Sequence, residues 1–96
     1  MYTAVRHYKI KSGSFGEIEQ RIDGFVNIVS KVSGFVGYYF VNTGNDTLVT
    51  VSIFESQAGA DESTRAAAEW VKENLAALVE GPPTIMAGEV VAHKTK

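Results

Sequence analysis

The sequence contains no cysteine. That removes disulfide staples, thiolate metal sites and thiol nucleophiles together. Histidine is scarce: His7 and His93 are the only two. Two such residues without a third close partner fall short of a zinc or iron site, so no metal is expected. Positive charge is not in excess, since nine Lys and Arg face eleven Asp and Glu for a formal net charge of −2. A nucleic-acid partner would need a basic stripe to neutralise phosphates, and none is present. No apolar run approaches the length that spans a bilayer. The opening MYTAVRHYKIK also lacks the apolar centre of a signal peptide, so the expectation is a soluble, cytoplasmic chain with no membrane partner. The glycines are scattered rather than gathered before a helix, which excludes a phosphate loop. The serines are not flanked as in a nucleophile elbow.

What is present reads as one domain spanning residues 1–96, a length that supports a single core. Residues 2–11 mix β-branched, aromatic and charged side chains and read as a strand, broken at Ser12-Gly13. Ser14 and Glu17 have the spacing of a capping box. Ile18, Ile22, Phe25, Val29 and Val32 follow at helical spacing, so a helix is predicted over about 14–32, with Gly34 as its left-handed terminator. Asn42 to Asp46 are dense in turn formers and join two strands within residues 34–55. Residues 57–80 are rich in Ala, Glu and Leu and read as a second helix, with a stripe of Ala67, Val71, Leu75 and Leu78, Trp70 beside it and a weak point at Gly59. Gly81-Pro82-Pro83 stops it. Residues 84–93 form the last strand. The order β-α-β-β-α-β predicts an α+β, ferredoxin-like fold: a four-stranded antiparallel sheet in order 4-1-3-2 with two helices on one face.

The central hairpin is apolar on both sides. With its turn centred on Gly44-Asn45, one face carries Val36, Tyr38, Phe40, Val49, Val51 and Ile53. The other carries Phe35, Gly37, Tyr39, Val41, Leu48, Thr50, Ser52 and Phe54. A turn one residue longer re-pairs the strands yet leaves each apolar on both sides. Two helices cover one face only, and the other exceeds what monomers leave bare. Covering six such side chains contributes on the order of 10 kcal/mol before association costs. The simplest cover is a second copy about a two-fold axis, so a homodimer is expected.

The element order, Ser33-Gly34-Phe35-Val36-Gly37-Tyr38 opening the second strand, and Phe54-Glu55-Ser56-Gln57-Ala58 leading into the second helix resemble the antibiotic biosynthesis monooxygenase family. The likeness covers nearly the whole chain. It implies a dimeric α+β barrel, two sheets packed face to face, with a small apolar or aromatic ligand held between each sheet and its own helices. Some members oxidise quinol-type or polycyclic aromatics with O₂ and no cofactor; another branch binds and degrades haem. The resemblance places a large aromatic, here Phe54, at the pocket edge. That assigns Gly37, Tyr39, Thr50, Ser52 and Phe54, with Tyr8 of the first strand, to the pocket. It assigns Val36, Tyr38, Phe40, Val49, Val51 and Ile53 to the dimer interface.

The haem-degrading branch uses an Asn, a Trp and a His at places that fall here on Arg6, near Glu62, and near Lys72 or Glu73. None matches, so haem degradation of that kind is not expected and no cofactor is assigned. Trp70, two turns later than the family's Trp, reaches the same cavity or packs in the core. Arg6 alternates with Ala4 and Tyr8 on the pocket face. Its guanidinium can bind a carboxylate or phenolate and stabilise negative charge on an oxidised aromatic, or pair with Glu62, Glu69 or Glu89. Arg6 and Trp70 are the catalytic candidates. Small residues such as Gly37 leave ligand space or let the helices pack closely. His7 faces opposite to Arg6, towards the barrel. The function expected is a cofactor-independent monooxygenase of a small aromatic, or else a non-catalytic ligand-binding or dimerisation module.

Overall fold

A computed structural model describes residues 1–96. The elements are β1 (Tyr2–Lys9), α1 (Phe15–Val29), β2 (Phe35–Gly44), β3 (Thr47–Phe54), α2 (Gln57–Asn74) and β4 (Thr84–Glu89). The strands form one antiparallel sheet in the order β2-β3-β1-β4, which is the predicted 4-1-3-2 read from the other edge. Both helices pack on one face of it, giving the ferredoxin-like α+β arrangement. The core lies in that layer: Ile18, Phe25 and Val29 from α1 and Ala60, Ala67 and Trp70 from α2 close over Tyr8, Leu48 and Phe54 of the sheet.

Local chemistry explains the elements and corrects several expected boundaries. The capping box does not form. Ser14 is already helical (φ −86°, ψ −11°) and its hydroxyl caps nothing. A tight turn at Gly13 (φ +76°), closed by the Ser14 N–H donating to the Lys11 carbonyl at 3.0 Å, holds it out of the extended conformation a cap requires. α1 ends at Val29 rather than Val32. The chain then turns through residues 30–33 to Gly34, which adopts φ +82° and leads into β2 rather than ending the helix. α2 runs unbroken through Gly59. A Cβ there would stand 2.9 Å from both Phe54 and the Ser33 carbonyl oxygen, so glycine lets the helix start lie on the sheet. The same helix stops at Asn74, six residues short of Glu80. Leu75 and Leu78 are beyond it because residues 78–80 bond to the end of β1, with Lys11 N–H donating to Leu78 and Glu80 N–H to Lys9, both at 2.8 Å. β4 likewise ends at Glu89, so His93 lies past the sheet.

The main correction concerns β2. The turn residues are Asn45 and Asp46, both at positive φ (53° and 56°), as a two-residue hairpin of the primed kind requires. The β2–β3 register then shifts twice, leaving Val36 and Thr43 as extra residues on β2. Between these bulges Tyr38 pairs with Ser52 and Phe40 with Thr50, on the helix side. Tyr38 and Phe40 therefore do not belong to the outer face, and Gly37 and Tyr39 do not lie beneath the helices; Tyr39 is 60% exposed. β3 follows the expected alternation: Leu48, Thr50, Ser52 and Phe54 are buried, while Val49, Val51 and Ile53 face out half-covered.

Candidate functional site

The inner face of the sheet buries one charged side chain. In the row Phe40–Thr50–Arg6–Ile85, Arg6 sits on a central strand and is 1% exposed. Alternation along β1 turns Ala4, Arg6 and Tyr8 inward and leaves Val5 and His7 on the other face. Burying a guanidinium costs several kcal/mol unless its donors are met. Here hydroxyls meet most of them. Nη1 donates to Thr50 Oγ1 (3.2 Å) and Ser52 Oγ (3.1 Å) from β3. Nη2 donates to Ser63 Oγ (2.9 Å) and, at 3.4 Å, to Thr64 Oγ1 from α2. Ser63 in turn donates to the Ala60 carbonyl at 2.7 Å, which fixes its oxygen as the acceptor for Arg6. Nε has no partner.

No carboxylate approaches this cation. Glu62, Glu69 and Glu89 do not pair with it; the one ion pair in the chain joins Arg21 to Glu17 on α1, at the surface. Desolvation therefore lowers the Arg6 pKa, with Tyr8 and Tyr38 acting the other way. Both phenols are pushed up by burial, against the pull of Arg6, and Tyr38 is held well above the usual tyrosine range. The Tyr38 hydroxyl is buried with no partner in full hydrogen-bond geometry, although Thr50 lies close enough to favour its ionised form slightly. The two phenols beside Arg6 are thus fixed as neutral groups, and neither acts as a base near neutral pH. His7 lies on the opposite face of β1.

Arg6 and Tyr8 stand where two spaces meet. The first lies between the helices and the sheet, lined by Tyr38, Phe40, Thr50, Phe25, Trp70 and other apolar groups, with about 20 Å³ of free volume. That admits roughly one water and no aromatic ring. The second is an open cleft of about 370 Å³ between α2 and the strand β4. Its walls are Thr64, Ala68, Val71 and Lys72 of α2, the Gly81-Pro82-Pro83 turn, and Ile85. It carries two cations, Arg6 and Lys72, and no carboxylate.

The structure gathers only some of the candidate residues here. Arg6 and Tyr8 line both spaces, Thr50 lines the inner one, and Ser52 bonds to Arg6 without lining either. Phe54 is fully buried against Phe35 (ring centroids 5.8 Å apart) and fills core rather than edging a pocket. Trp70 packs on Phe25 at 5.6 Å and also walls the inner cavity. Gly37 and Tyr39 are outside the site altogether. Sequence reasoning did not pick out Thr64 or Pro82, Pro83 and Ile85 as site residues, and weighed Lys72 only as a haem ligand. They converge through the docking of the 81–83 turn on α2, and local pattern carries no signal for that. No three His, Cys, Asp or Glu side chains come together as ligands for a metal ion.

The sequence matches the model of the antibiotic biosynthesis monooxygenase family over residues 1–80. No curated protein matches it significantly. Among solved structures it is similar to the NE2512 protein of unknown function from Nitrosomonas europaea, with 21% identity and a TM-score of 0.82 over 99% of this chain and 93% of that one. It is also similar to a candidate antibiotic biosynthesis monooxygenase from the same organism, with 9% identity and a TM-score of 0.80 over 96% and 100% of the two chains. The haem degrader MhuD of Mycobacterium tuberculosis, solved with two haems in its active site, is 18% identical with a TM-score of 0.77 over 99% and 100%. At these identities the likeness carries the fold.

Proposed function

The chain belongs to the antibiotic biosynthesis monooxygenase family, and we propose that it is a homodimeric monooxygenase that binds a small aromatic molecule in the cleft between α2 and β4. The observation that carries this reading is Arg6: a buried cation, free of any carboxylate, at the inner end of an open cleft with apolar walls. A guanidinium in a dry site stabilises negative charge far better than in water. A phenol or a carbon acid flanked by aromatic rings would therefore ionise more readily beside it. The resulting electron-rich anion can react with O₂ directly. For an anthrone-type substrate the balance closes without a reductant: a ring CH₂ becomes C=O, the second oxygen atom leaves as water, and the substrate supplies all four electrons. Tyr8 and Tyr38 stay protonated, so the lost proton leaves through the open cleft. The chain's contribution is charge stabilisation and a dry wall, not a general base.

Oxygen uptake with a panel of anthrones and quinols, with products identified by mass spectrometry, tests the proposal. One O₂ consumed per quinone formed, at a rate above the spontaneous one and reduced by Arg6→Met, is expected. Uptake at the spontaneous rate across the panel would reject it. The second reading, a non-catalytic binding module, is favoured by the inner cavity of about 20 Å³, which encloses no ring, and by the lack of a base beside Arg6.

The homodimer is proposed from the face of the sheet away from the helices. Tyr39, Val51, Val5 and Met86 form one continuous row across all four strands. Tyr39 and Met86 are 60% and 61% exposed in the single chain. Val41, Val49 and Ile53 flank the row. An apolar face of this extent is the kind of surface that a two-fold partner covers.

A further inference from the structure

We propose that the ligand of this cleft is an aromatic oxyanion, a carboxylate or a phenolate, gripped side-on by the Nε–Nη2 edge of Arg6. The inference rests on the placement of the ligand in the cleft given above and names its chemical class. Four of the five guanidinium N–H donors are directed at hydroxyls, and the fifth, on Nε, has no partner although Arg6 is 1% exposed. The neighbouring Nη2 spends one N–H on Ser63 at 2.9 Å and holds Thr64 at 3.4 Å, close to the limit of a hydrogen bond. Thr64 also lines the cleft, which puts Nη2 on the cleft side of the group. Nε and the adjacent Nη present two parallel N–H bonds, the fork that matches a carboxylate.

The charge balance points the same way. The chain holds eleven Asp and Glu, yet none neutralises Arg6 and none lines the cleft. Hydroxyl dipoles satisfy donors but do not cancel a buried charge. An arriving oxyanion would do both. Lys72 at the rim adds a second positive charge on the path inward, while Val71, Pro82, Pro83 and Ile85 offer flat apolar walls for a ring. A neutral aromatic of the same shape would leave Nε unpaired.

The test is calorimetric titration of the intact protein with 1-naphthoate, with its neutral isostere 1-naphthamide, and with 4-nitrophenol above and below its pKa. About tenfold or greater preference for naphthoate over the amide is expected from a charge-assisted bond. Amide NMR shifts on binding should centre on Thr64, Val71 and Ile85. Tighter binding of naphthoate than nitrophenolate assigns a carboxylate; the reverse order assigns a phenolate. Arg6→Met should abolish the preference, and Arg6→Lys should keep part of it. Should Arg6→Met fail to fold, the acid-against-amide comparison in the unmodified protein still decides. Equal affinity for acid and amide, or shifts confined to the outer face of the sheet, overturns the proposal. Oxygen uptake is not read in this experiment. A protein that binds naphthoate tenfold better but consumes no O₂ keeps the oxyanion site and loses the monooxygenase reading; one that oxidises neutral aromatics without regard to charge does the opposite.

Discussion

Val51→Glu is the sharpest perturbation of the proposed assembly. Val51 lies on β3, paired with Tyr39 on one side and Val5 on the other, at the middle of the apolar row that ends at Met86. With Val41, Val49 and Ile53 these side chains form a patch. Covering it hides roughly 350 Å² per copy, or about 17 kcal/mol for the pair at ~25 cal/mol per Å². Association costs of about 10 kcal/mol leave about 7 kcal/mol, which corresponds to a dissociation constant on the order of 10 µM. A glutamate at this position enters the interface twice, once from each copy, with no cation on that face of the sheet at its row. Burying it unpaired costs at least ~3 kcal/mol, so dimer affinity should fall by about 100-fold or more. The helix-side core is untouched, because Val51 faces away from it, and the circular dichroism spectrum should stay that of the unmodified protein. Sedimentation velocity at about 100 µM, above the first constant and below that of the variant, reads the outcome. The unmodified chain should run as a dimer and the variant as a folded monomer. A monomeric unmodified chain, or a variant dimer of undiminished affinity, would refute the reasoning from the outer face.

Gly59→Ala should lose about 1–3 kcal/mol in urea unfolding, because its Cβ would meet Phe54 and the Ser33 carbonyl oxygen at 2.9 Å and neither can yield cheaply; unchanged stability would mean that α2 shifts freely on the sheet. Tyr38→Phe removes a buried hydroxyl that has no partner in full hydrogen-bond geometry and should stabilise the protein by about 1 kcal/mol; a loss of similar size would show that the hydroxyl is bonded. The tyrosines also set an alkaline limit. The folded state holds Tyr8 and Tyr38 protonated at a pH where the unfolded chain, with ordinary tyrosines near pKa ~10, releases their protons. The unfolded state then binds fewer protons, so stability should be complete below pH ~10 and fall above it, and the fall should be shallower in Tyr38→Phe. A stability curve flat above that pH, or identical slopes in the two proteins, would contradict the assignment.

How far the sequence disclosed this structure depends on the strand. On β1 and β3, alternation groups Ala4, Arg6 and Tyr8, and Leu48, Thr50, Ser52 and Phe54, each on one face, and the family resemblance turns that face towards the helices, where the structure has them. Punctuation at Asn45-Asp46 and at Gly81-Pro82-Pro83 delimits the elements well enough to give the topology. β2 resisted because both its faces are apolar, so periodicity cannot choose between them. The bulges at Val36 and Thr43 then decide the matter through backbone register, which no side-chain pattern reports. Helix ends failed for a related reason: Leu75 and Leu78 continue the helical stripe, but pairing of residues 78–80 with β1 wins over one more helical turn. For the site, the facing of Arg6 and the hydroxyls of Thr50 and Ser52 were readable. The missing counter-ion and the cleft were not, because both depend on where α2 and the 81–83 turn come to rest.

The central claim is that Arg6 is a ligand-binding cation rather than a structural one. Its Nε–H reports this directly. In the free protein that proton is buried and unbonded, and in ¹⁵N-resolved NMR it should appear as one slowly exchanging arginine resonance that Arg6→Lys removes. Addition of 1-naphthoate should move it downfield as the hydrogen bond forms, and 1-naphthamide should not. A resonance unmoved by saturating naphthoate, or one moved equally by acid and amide, would contradict the account.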